Sequence, residues 1–232
     1  MHNKCPSLSG VYLNEEKNGK GKEYYNDGTL EFEGEYLNGK RNGIGKEYYH
    51  DGKLKFEGGY FKGKRWNGKG FNKVFNIEFE IKNGNGKGKE YYDDDKLKFE
   101  GEYLNEERNG KGKEYSKTGK LKFEGEYING VINGKGKEYN YDCTLKFEGK
   151  YLNGKKNGKG KEYYNDGKLK FEGKYLNGIR NGKGKENYDN GTLKFEGEYL
   201  NGIRWNGKGY NKNGIIEFEI KNGNGKGKEY NY

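Results

Sequence analysis

The chain has 232 residues, 46 Lys and Arg against 36 Asp and Glu, and a formal charge of +10 at neutral pH. Only 29% of it is hydrophobic, but 16% is aromatic and the aromatics recur in register, which argues against both a large aliphatic core and the disorder that low hydrophobicity alone would imply. Ala and Gln are absent while 43 Gly recur at turn positions, which argues against helices, and no run approaches the ~18 apolar residues of a membrane-spanning helix.

In chain order, residues 1–17 form a leader and half a repeat, and residues 18–232 a continuous array. Full units begin at each Asn-Gly-x-Gly: 18–41, 42–66, 85–108, 109–132, 133–156, 157–180 and 181–205. Two short units, 67–84 and 206–223, interrupt them, and residues 224–232 open another. A fixed period of this size marks an array in which each unit contacts its neighbours. Cys5 and Cys143 occupy unrelated positions, one in the leader and one in place of a turn glycine, so no disulfide framework is expected.

Residues 157–180 show the unit plainly. Leu169, Phe171, Gly173 and Tyr175 alternate with charged residues and are expected on one face of a strand. Asn177-Gly178 and the following residues to Gly182 read as a connection at positive φ, with the second strand running from Gly182. Asn165-Asp166-Gly167 is the other reversal. Each unit is thus a β-hairpin, and the fold class is all-β: an elongated, single-layer antiparallel meander of repeated hairpins. Gly173 and its counterparts leave room for a neighbouring ring, while Glu and Lys pair across strands on the opposite face.

The run from Phe32 through Glu33-Gly34-Glu35-Tyr36, then Asn38-Gly39, Asn42-Gly43 and Tyr48-Tyr49, with Asp51-Gly52 after it, resembles the MORN repeat. One departure is systematic: an extra residue after the Asp-Gly turn makes the period 24 and brings in Leu54 or its equivalent. The resemblance implies an elongated antiparallel β array acting in protein scaffolding, dimerisation or binding of acidic phospholipids.

No constellation carries chemistry. Gly-Lys-Gly-Lys never continues into a phosphate-binding loop opening a helix. His2 and His50 lack partners at ligand spacing, Asp93-Asp94-Asp95 fills an ordinary turn position, and no Ser, His and Asp set exists. We therefore expect no catalytic residue, cofactor or metal, and no enzyme. Two features point outward. One row of connections collects cations, among them Lys40, Arg41, Lys155, Lys156 and Arg180, a candidate edge for an anionic ligand, opposite a row of aspartates from Asp27 to Asp189. The short units are preceded by Arg65-Trp66 and Arg204-Trp205, candidate contacts with a partner, since Trp beside Arg is a frequent hot-spot pair. The expected function is a non-enzymatic scaffold with an unidentified protein partner; the alternative is a peripheral module binding acidic membrane lipid through the basic edge. Thinly spread charge argues against nucleic acid. The absence of an apolar stretch in residues 1–10 and the sparse cysteines suggest a cytoplasmic location, and the uncapped end strands suggest a homodimer through residues 227–232.

Overall fold

In the computed structural model, which describes residues 9–13, 16–92, 94 and 96–227, Asn177 and Gly178 take φ of 51° and 91°. Two consecutive residues at positive φ reverse a hairpin in the hand that suits strand twist, and 38–39, 153–154 and 201–202 repeat the device. The opposite reversal spans 164–168. There the Gly167 amide donates to the Tyr164 carbonyl at 2.9 Å, the Tyr164 amide donates to the Lys168 carbonyl at 2.9 Å, and Asp166 Oδ1 accepts the Lys168 amide at 3.0 Å. Gly167 sits at φ 83°, and Cys143, which replaces the glycine in its own unit, is held at φ 68°.

The second strand of the unit begins earlier than the sequence suggests. It runs Ile179–Asn187 and pairs with Leu169–Leu176. Gly173 faces Gly184 and Tyr175 faces Arg180, so 181–183 lie opposite Lys174 alone. Asn181-Gly182 is therefore a bulge inside the strand, with Gly182 at φ 93°. A second bulge corrects another expectation. Between the pairs Glu162↔Phe171 and Tyr163↔Leu169, Lys170 is supernumerary, so Leu169 leaves the ring row and stands opposite Tyr163. The extra residue of the period is absorbed here.

Every described element is a strand, from Ser9–Leu13 to Asn224–Gly227, and the class is all-β. Two compact units divide the chain: 1–90 with 100–109, and 91–99 with 110–232. In the first, the strands from Ser9–Leu13 through Asn85–Tyr91 each pair antiparallel with the next. In the second, each strand through Asn224–Gly227 likewise pairs antiparallel with the next.

Each core is a line of rings over glycine. Phe32, Phe56, Phe99, Phe147, Phe171 and Phe195 are fully buried. Phe147 meets Tyr151 and Tyr175 edge-on at 5.6 and 5.3 Å, the arrangement the ring quadrupoles favour. A Cβ on Gly160 would lie 2.5 Å from Phe147 Cζ. A Cβ on Gly173 would lie 2.5 Å from Phe171 Cζ and 2.8 Å from Gly184 Cα, so these glycines admit the ring and also let two backbones approach.

The short units keep the ring, stacked on Phe56 in the first of them, and change the residues that face it. Gly70 faces Phe79 and Gly68 faces Ile81, where a full unit has Glu47 facing Phe56 and Gly45 facing Gly58. Gly209 with Phe218 and Gly207 with Ile220 repeat this.

Two stability measurements follow. Phe147→Ala is expected to cost about 3–5 kcal/mol and Glu148→Ala, on the opposite face, about 1 kcal/mol or less; equal losses in denaturant melts would contradict the facial arrangement. Cys143→Gly is expected to stabilise by about 0.5–1 kcal/mol, because it relieves a side chain held at positive φ. An unchanged or lowered midpoint would show that the turn carries no strain.

Candidate functional site

The aromatic face carries a charge that the alternation of the strand conceals. Glu162 pairs with Phe171 and so lies among the rings, not with the solvated Glu and Lys. Its carboxylate accepts the Tyr175 hydroxyl at 2.8 Å and Arg180 Nη2 at 2.5 Å, and the Arg180 guanidinium lies 4.0 Å from the centre of the Phe171 ring. Tyr, Arg and Phe thereby clamp one Glu across three successive strands. The clamp recurs as Glu23 with Tyr36 and Arg41, Glu47 with Tyr60 and Arg65, and Glu90 with Tyr103 and Arg108. It recurs again as Glu138 with Tyr151 and Lys156 and Glu186 with Tyr199 and Arg204.

This geometry divides the predicted basic edge. Arg41, Lys156 and Arg180 turn inward, half-buried, each against a Glu and over a Phe ring. Lys40 and Lys155 remain exposed at the hairpin tips. Inward-facing cations do not form a solvent-exposed binding edge, because each is desolvated and neutralised within the fold. Arg65 and Arg204 are clamp members too. Trp66 and Trp205 are half-buried: Trp66 lies 5.3 Å from Phe61, centre to centre, and both indoles cover the next tip glycine, Gly84 and Gly223. The aspartate row is turn chemistry; Asp27 accepts Thr29 Oγ1 at 2.7 Å and the Thr29 amide at 3.0 Å. Asp94 pairs with Lys96 at 2.8 Å. Asp93, Asp95, His2, Cys5 and residues 228–232 lie outside the described residues.

The opposite face has three rows. Next to the loops, Lys and Glu pair across strands, as in Lys22–Glu33 at 3.3 Å and Lys161–Glu172 at 3.8 Å. The glycine row follows, and then the position before each Tyr together with its cross-strand partner. At the tips stand Leu176 facing Ile179 and Leu200 facing Ile203, between 42% and 68% exposed. Tip-to-tip backbone bonds hold these residues in line, Gly178 donating to Lys156 at 2.8 Å and Gly202 to Arg180 at 2.9 Å. Ile128, Val131 and Leu152 extend the row. Sequence reading missed it because Leu-Asn-Gly-Ile looks like turn punctuation; the available signal was a branched apolar residue on each side of Asn-Gly.

Residues 32–53, 123–142, 147–168 and 171–193 match the MORN repeat, and residues 17–38, 84–105 and 108–129 match a MORN repeat variant. No curated protein matches the chain. Among solved structures, a crystal structure of TcdB2-TccC3-Cdc42 is 11% identical with a TM-score of 0.18, over 91% of this chain and 16% of that one. A crystal structure of TcdB2-TccC3 is 11% identical with a TM-score of 0.17, over 90% of this chain and 13% of that one. Likeness at these scores carries no argument.

The clamp sets an acid limit. Burial opposes the charge on Glu162, but the hydrogen bond and charge of Arg180 and the Tyr175 hydroxyl outweigh it and hold the carboxyl below its ordinary 4.5; Glu186 behaves alike through Arg204. The folded carboxylate binds a proton less readily than the unfolded one. Its stabilisation is therefore complete above pH 4.5 and is lost as the pH falls through the folded-state value. Melting temperature is expected to drop on that descent, and Glu162→Gln to cost about 3 kcal/mol at neutral pH while flattening the acid slope. A variant with the wild-type slope would remove Glu162 from the acid response.

Proposed function

Because this chain belongs to the MORN-repeat family, whose repeats generally serve as protein- or membrane-interaction modules, we propose that it is a non-enzymatic scaffold that binds a protein partner along its hairpin tips. The observation that carries this is the aliphatic row of the second compact unit, where Leu152, Leu176 and Ile179 are 48–49% exposed and Ile203 is 68% exposed. Apolar side chains in line on a folded surface mark an interaction site more often than isolated ones do. Trp205 lies two residues beyond Ile203 in the chain and would anchor its end, as Trp66 would beside Phe61 in the first unit; Arg65 and Arg204 hold the strands beneath through their clamped Glu.

A second reading has its own support. Lys155 is exposed next to Leu152, with which it pairs, and Lys40 is exposed next to Leu37. Aliphatic side chains flanked by lysine suit the interface of an anionic bilayer, the aliphatics entering the headgroup region and the lysines meeting phosphate.

Replacing Leu176, Ile179 and Leu200 together by Ser separates these readings from a merely structural role. Exposed sites of this kind are expected to move stability by only about 0.5 kcal/mol each. Affinity capture from a native extract is expected to yield proteins retained by the parent chain and lost by the triple variant. Equal capture by both would move the contact away from the tips. Cosedimentation with phosphatidylserine vesicles, weakening with salt and lost in the same variant, would favour the membrane reading instead.

A further inference from the structure

The row between the glycines and the tips contains an anomaly. Its default pairing is opposite in charge: Lys20 faces Glu35, Lys111 faces Glu126 and Lys183 faces Glu198. In two consecutive hairpin junctions of the second compact unit it is not: Lys135 faces Lys150, and Lys159 faces Lys174. Like charges directly opposite one another destabilise an antiparallel pair. All four lysines are exposed, and among the described residues none forms an ion pair with a carboxylate. The equivalent pair in the first unit, Ile44 facing Gly59, carries no charge at all. The repeat therefore folds with Lys and Glu, or with Ile and Gly, at these positions, and nothing in its packing requires lysine opposite lysine.

The four ammonium groups line one side of a groove of about 830 Å³. Its floor is glycine, Gly136, Gly149 and Gly160 among them, and its far side carries Glu124, Glu148 and Glu172 with Lys137 and Lys161. That far side is close to neutral, because Lys137 pairs with Glu124 and Lys161 with Glu172. The groove thus carries a net charge on one side only, where Glu126, whose carboxylate accepts the Lys135 amide at 2.7 Å, is the single acidic residue in the lysine row. Among the described residues no aromatic side chain lines it, so it lacks the stacking platforms that single-stranded nucleic acid uses.

We propose that this groove binds an extended acidic polypeptide segment with Asp or Glu at alternate positions, lying across the strands with its acidic side chains against Lys135, Lys150, Lys159 and Lys174. The four lysines sit on four successive strands about 4.8 Å apart, a run of roughly 14 Å. An extended chain presents one side every ~6.8 Å, so three alternate carboxylates cover the run within reach of flexible lysines. The other side chains of such a segment meet the mixed Lys and Glu side, where a uniformly charged polymer would meet Glu124, Glu148 and Glu172. The glycine floor lets the bound backbone come close. This proposal rests on the protein-scaffold reading and names a second surface and the class of partner it takes.

Fluorescence anisotropy with two synthetic twelve-residue probes, Glu-Ser repeats and Gln-Ser repeats, tests it on the full chain. The acidic probe is expected to bind and the neutral probe not. Lys150→Ser with Lys159→Ser and Lys174→Ser is expected to weaken binding at least about tenfold with melting unchanged or raised, since like-charge contacts are removed. The Leu176, Ile179 and Leu200 to Ser variant is expected to bind the acidic probe normally, so that failure of the tips as a partner site and failure of the groove are read separately. The proposal is overturned if both probes bind alike or if the lysine variant retains full affinity. It is overturned equally if polyphosphate or phosphatidylserine vesicles engage the same lysines while the acidic peptide does not.

Discussion

The carboxylate of each clamped Glu is the constraint on which the rest of the structure depends. A carboxylate taken out of water among phenylalanine rings is unfavourable unless its charge and lone pairs are met. Here a Tyr hydroxyl and a cation, from the two strands that follow, meet them. A hairpin in isolation would bury Glu162 without Arg180, so the clamp makes each unit incomplete without the next. It also fixes the cation over the ring, at 4.0 Å in the Phe171 and Phe147 copies, adding cation–π attraction where the side chain is already desolvated. Outside the clamp, a second line of hydroxyls ties loop to loop, as when Tyr164 donates to the Asn187 carbonyl at 2.7 Å.

The same constraint decides which surfaces are left for partners. Arg41, Arg180 and Lys156 are consumed internally, so the net charge of +10 is not expressed where the connections are richest in cations. What the tips show instead is Leu and Ile, and what the charged face shows is the unmatched lysine of two adjacent hairpin junctions. The short units follow from the same logic. Gly70 and Gly209 stand where the clamped Glu would be, and the Phe79 and Phe218 rings close over the vacated position, so these units need no following cation.

Much of this was legible in the residues. Asn-Gly at positive φ, the Asp-Gly loop, the ring over glycine and the solvated Glu–Lys pairs all follow from local chemistry acting at fixed spacing. What was not legible came from bulges. Gly182 in Asn-Gly-x-Gly reads as a turn glycine, and the structure uses it to insert residues into a continuing strand. Lys170 reads as a place in an alternating strand, and the structure makes it the extra residue that turns Leu169 out of the ring row. A shift of one residue exchanges the faces of a strand, and nothing in a two-residue alternation reveals where the shift falls.

By itself, the sequence determined an all-β repeat of hairpins, the residues at which the chain reverses and the aromatic identity of the core, because each of these rests on contacts within about one period. The tertiary structure alone decided the destination of every charge. Glu162 and Glu172 differ by ten positions and look interchangeable in the sequence, yet one is clamped among rings and the other faces Lys161 in solvent. Their difference depends on cross-strand register, and register is set by the bulges and by packing of a unit against the one that follows it.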